Sequence, residues 1–66
     1  MNAAKSMKIA LAQQGLNQTQ LAAKAGITQP SISGLAQRSN WNAESLQKIA
    51  TALGMKVSEF VALGED

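Results

Sequence analysis

Residues 16–37 read LNQTQLAAKAGITQPSISGLAQ, and their spacing predicts two short helices joined by a sharp turn. Leu16 is apolar, and Asn17 after it can accept hydrogen bonds from the amides that a helix start leaves unpaired. Leu21, four positions beyond Asn17, completes a hydrophobic staple, and Gln20, three positions beyond it, completes a capping box. The same pattern returns at Ile27-Thr28 with Ile32. Pro30 falls in the first turn after Thr28, where its missing N–H does no harm. Leu21, Ala22 and Ala25 recur at helical spacing, as do Ile32 and Leu35. Only Gly26-Ile27-Thr28 lies between the two runs, and so short a link between short helices forces a steep crossing. Three residues suit that corner. Ala22 is small where the helices must approach, Gly26 can take positive φ, and Ile32 is placed to enter a shared core.

Outward from this stretch, the cap-and-staple pattern reappears at Trp41-Asn42 with Leu46, and more weakly at Val57-Ser58 with Ala62. Met7 and Leu11 form one further helical run, and Leu46, Ile49, Ala50 and Leu53 another. Gly15 and Gly54, like Gly26, follow their runs directly, as C-terminal stops should. The reading is five helices at about 2–14, 18–25, 29–36, 43–53 and 59–63, with no segment alternating as a strand would. The expected fold is all-α, one domain over residues 1–66 without repeats, linkers or low-complexity tracts.

Composition narrows the function. Sixty-six residues are near the lower limit for folding on a core alone. With no cysteine there is neither disulfide nor thiolate metal site, and without histidine the commonest general base and metal ligand is missing. Serines without a histidine, few and scattered carboxylates and no glycine-rich phosphate loop argue against an enzyme, and no cofactor or small-molecule ligand is indicated. No apolar run approaches the roughly 18 residues of a membrane span. Lys5 and Lys8 precede nothing resembling a signal peptide, so the cytoplasm is the default location. The net charge is +2, and residues 1–58 hold all six lysines and arginines against Glu44 alone, an asymmetry that favours a polyanionic partner.

The stretch Leu16 to Phe60, from LNQTQLAAKAGITQPSISGLAQ through WNAESLQKIATALGMKVSEF, resembles the lambdoid repressor and Cro family. The resemblance implies a five-helix DNA-binding domain with a helix-turn-helix unit at about 18–37, its third helix in the major groove of double-stranded DNA. It implies a prokaryotic or phage regulator, most naturally a repressor, that binds a pseudo-palindromic operator as a homodimer, one that forms only on DNA if the free surface is too small.

Within that scheme Thr28, Gln29, Pro30, Ser31 and Ser33 are the expected base-contacting residues. A glutamine pairs bidentately with adenine, which makes Gln29 the best base reader, and the Pro30 ring can pack on a thymine methyl. Family members use the glutamine matching Gln18 on phosphate, and it can brace the one matching Gln29. Gln18, Gln37, Arg38, Ser39 and Asn40 are the expected phosphate contacts, which set register without reading sequence. Lys5 and Lys8 are open to either flanking phosphate or simple solvation, and Trp41 is read as a staple on the fourth helix rather than a DNA contact.

The chain departs from the family at three places. Leu11 and Ala36 stand where many members pair an arginine with a glutamate, an exchange a fold readily survives. Arg38 replaces the glycine usual after the third helix, and Gly34 stands where a longer base-contacting side chain is common. The last helix is either a closing flap on the core or a dimer surface, with Met55, Val57 and Val61 as the contact residues in the second case. The competing function is a protein-interaction module, or an antitoxin, built on the same fold.

Overall fold

The computed structural model describes residues 2–65. Five helices follow in order: α1 (Ala3–Gln14), α2 (Gln18–Ala25), α3 (Gln29–Ala36), α4 (Ala43–Ala52) and α5 (Val57–Leu63), with no strand among the described residues. No helix there is long and apolar enough to cross a membrane.

Three helix ends share one local construction. Gly15, Gly26 and Gly54 have φ of 66°, 70° and 72°, the left-handed region in which a side chain would be strained. The residue after each glycine donates its N–H back to the carbonyl five residues earlier: Leu16 to Leu11 at 2.9 Å, Ile27 to Ala22 at 3.1 Å and Met55 to Ala50 at 2.8 Å. These are Schellman closures, and Leu16, Ile27 and Met55 each turn back to pack on the core as such closures favour. The next helix is then capped at the following residue. Asn17 accepts from Gln20 N–H at 2.8 Å while its own N–H donates to the Gln20 side chain at 2.9 Å, so the predicted capping box forms. Thr28 Oγ1 accepts from Ser31 N–H at 3.3 Å. Asn42 likewise accepts from Ser45 N–H at 2.8 Å.

The fifth helix corrects the sequence reading. It starts at Val57 rather than 59, and its N-cap is Lys56 rather than Ser58. A lysine side chain cannot accept from an amide. The start is secured from the other side, by Glu59 Oε1 accepting from Lys56 N–H at 3.0 Å. The proposed Val57-Ser58-Ala62 staple therefore does not form. Smaller differences lie at Asn2, which is the cap of α1, and at Leu53, which is the C-cap of α4.

Ala3, Met7, Ala10, Leu11, Leu21, Ala22, Ile32, Trp41, Ile49, Ala50, Leu53 and Phe60 make the core, so every helix contributes. The Trp41 and Phe60 rings meet with centroids 5.6 Å apart. Leu11 is buried and Ala36 packs against the same cluster, so apolar contact occupies the place of the family's ion pair. Polar links hold the ends of the bundle together: Gln14 Nε2 donates to Leu53 O at 2.8 Å, and Ser6 Oγ to Val61 O at 3.4 Å. Ser6 is 0% exposed, and buried Gly64 abuts it: a Cβ at Gly64 would collide with Ser6 Oγ and Asn2 O. Small side chains on both partners let the end of α5 close over the start of α1.

Candidate nucleic-acid interface

The core holds α3 along one line only. Ile32 is completely buried, with Leu35 and Ala36 half-buried beside it. At 100° per residue the opposite side carries Pro30, Gly34 and Gln37, and all three are exposed. Gln29 is also exposed, at the first position of the helix. Thr28 and Ser31 are exposed but engaged with each other, their hydroxyl oxygens 2.9 Å apart. Ser31 and Arg38 line a shallow groove between α3 and α4 that Pro30 and Gly34 share.

On the α2 side, Gln18 and Ser33 are half-buried, and Ser33 Oγ donates to Gln18 Oε1 at 3.5 Å. That contact leaves the Gln18 amide hydrogens as its free donors. Its side-chain oxygen faces Ser33, so the structure gives Gln18 a partner across the corner other than the expected Gln29.

The loop after α3 is tied down from two directions. Trp41 is buried, and its indole N–H is shared between Leu35 O at 2.9 Å and Arg38 O at 3.0 Å. Ala3 N–H, at the start of α1, donates to Ser39 O at 2.8 Å. Gln37, Arg38, Ser39 and Asn40 are exposed on this braced loop. Trp41 thus does more than the expected staple, because it also satisfies the carbonyls at the end of α3.

The Ala3–Ser39 bond has a consequence that spacing alone does not reveal. It brings the first turns of α1 beside the end of α3, so Lys5 and Lys8 line one depression with Gln37 and Ser39. Two lysines remote in sequence thus extend the exposed surface of α3 and its loop. In and before α5, Met55 and Val57 are half-buried and pack on the core, whereas Val61 is half-buried outside that cluster, its carbonyl accepting from Ser6 in the first turns of α1. Among the described residues no group of acidic, cysteine or histidine side chains is placed to hold a metal ion.

Compared with known proteins, the chain matches the helix-turn-helix family model of the Cro and lambdoid repressor type over residues 7–60. The match spans most of the 66 residues, and the chain belongs to that family. Its class is that of DNA-binding helix-turn-helix regulators, a non-enzymatic family. No curated protein matches the sequence.

The brace on the loop is directly testable. Trp41→Phe keeps the ring against Phe60 but removes the shared N–H, and should lower stability by about 1 kcal/mol. In a domain this small that is a fall in melting temperature of about 4–8 °C. Thermal unfolding measures it, and amide exchange at Ala3 should quicken with it. An unchanged melt would show that the indole N–H contributes nothing to the end of α3.

Proposed function

We propose that the protein is a dimeric transcriptional regulator, acting as a repressor in a prokaryotic cytoplasm, with α3 seated in the major groove of a pseudo-palindromic operator. The observation that carries this reading is the surface of α3. Its outer side carries Pro30, Gly34 and Gln37, all exposed, with Gln29 exposed at the first position of the helix, and no hydrophobic side chain there is larger than proline. A helix of this diameter fits the major groove, and its N-terminal residues then reach base edges.

Within this reading Gln29 is the principal base reader, through a bidentate bond to adenine. Pro30 contributes apolar contact. Ser33 acts together with Gln18, its hydroxyl linked to the residue that binds phosphate. Thr28 and Ser31 cap the helix first and meet DNA only at their outer edges. Arg38, Gln37, Ser39, Asn40 and the amide of Gln18 hold the backbone, and Lys8 joins them through its place beside Gln37 and Ser39. Val61 is the best-placed dimer contact, since Met55 and Val57 already pack inward. With so small a surface, dimerisation occurs on DNA.

Two substitutions separate reading from holding. Gln29→Ala should cost about 1–3 kcal/mol on a sequence selected from random DNA and little on unrelated DNA. Arg38→Ala should weaken both duplexes alike and flatten the log–log salt slope by about one unit. Equal losses for Gln29→Ala on both duplexes, or an unchanged slope for Arg38→Ala, would refute the assigned role.

The dimer has its own test. Half-site centres should lie about 10 base pairs apart, placing both α3 helices on one face of the duplex. Inserting about five base pairs turns one half-site to the opposite face, and affinity should collapse in a gel-shift titration. Binding that ignores the insertion, or stays at one protein per duplex, would contradict the dimeric operator and favour an interaction module.

A further inference from the structure

Gly34 is unexplained by the protein's own fold. It lies inside α3, where glycine is less favourable than alanine because it leaves more backbone freedom to be lost. Its φ is not positive, unlike those of Gly15, Gly26 and Gly54. A Cβ built on it meets nothing within 4 Å, so no neighbouring helix requires the missing side chain. Gly64 shows the contrast, because there the adjoining α1 fills the space a Cβ would take. The space over Gly34 is open, bounded on the α3 side by Pro30, Ser31, Leu35 and Arg38 and across the groove by Glu44, Ser45 and Lys48 of α4.

The chemistry available at Gly34 is narrow. It has no side-chain donor or acceptor, and its carbonyl accepts from Gln37 N–H at 3.2 Å. Pro30, one turn earlier, likewise offers no donor. Ser31 and Arg38 stand at the edge of the space, but directly over Gly34 and the Pro30 ring only an apolar group finds close contact, and the apolar group that base pairs present in the major groove is the thymine C5 methyl. We infer that Gly34 is a specificity-determining residue, glycine because a thymine methyl of each half-site occupies the space of the absent Cβ, against the Pro30 ring. The inference rests on α3 entering the major groove, as proposed above.

The full chain, wild type and Gly34→Ala, is titrated on the selected operator and on duplexes in which each thymine in turn is deoxyuridine, which removes the methyl alone. One thymine per half-site should be sensitive, its methyl supplying about fourfold in wild-type affinity, the effect of burying one such group. Gly34→Ala should bind the thymine operator about tenfold more weakly, as for a mismatched base pair. On the deoxyuridine operator it should bind within about twofold of wild type, because the colliding methyl is gone. It should also melt a few degrees higher than wild type, so lost folding cannot account for weaker binding. Wild-type affinity of Gly34→Ala on thymine DNA would overturn the inference. So would an equal loss on both duplexes, or the absence of any methyl-sensitive position. Failure to select any sequence would overturn the base-reading function itself, and the role of Gly34 with it.

Discussion

The corner between α2 and α3 is the constraint on which the rest depends. Each helix has only eight residues, well short of the roughly 12–15 at which isolated helices become even marginally stable. Their order is borrowed from packing. Leu21 and Ala22 on α2 and Ile32 on α3 are buried together, and full burial of a side chain such as Ile32 is worth about 1.5–3 kcal/mol. This works only if the chain reverses within Gly26, Ile27 and Thr28. Gly26 at φ 70° and the 3.1 Å bond from Ile27 N–H to Ala22 O make that reversal. With the corner set, Ile32 faces inward, and the exposed side of α3 follows from helical geometry alone.

Most of this was legible in the sequence because capping and periodicity are local. Asn17, Gln20, Thr28 and Asn42 needed only their own neighbours to be recognised, and they act as read. The start of the fifth helix was placed two residues late because Ser58 is a good intrinsic cap and Lys56 is a poor one. A better signal was present: in Gly15-Leu16-Asn17 and Gly26-Ile27-Thr28 the cap stands two residues after the left-handed glycine, and Gly54-Met55-Lys56 repeats that spacing. Tertiary geometry overrode residue preference there.

The candidate DNA-binding surface was less legible than the fold, for a definite reason. Residue type suggests what a side chain can bond to, but not what it already bonds to. Thr28 with Ser31, and Ser33 with Gln18, are partly spent on each other. Trp41 divides its N–H between two carbonyls, a role that spacing does not encode. Lys8 stands beside Gln37 and Ser39 because α1 packs against α3, where the Ala3–Ser39 bond links residues 36 positions apart. Ser6 and Gly64 meet across the whole length of the chain.

The chain emerges as a helix-turn-helix DNA-binding regulator in which a small core exists to hold one exposed helix and its loop at a fixed angle. The function turns on which surface meets DNA. Backbone amide NMR of the full chain, titrated with its selected duplex, addresses that directly. Binding through α3 and its loop predicts the largest shifts on Gln18, on residues 28–40 other than Pro30, which has no amide hydrogen, and on the first turns of α1, with those in α5 small and confined to the vicinity of Val61. Shifts centred on α4 or the body of α5, with α3 unmoved, would contradict it.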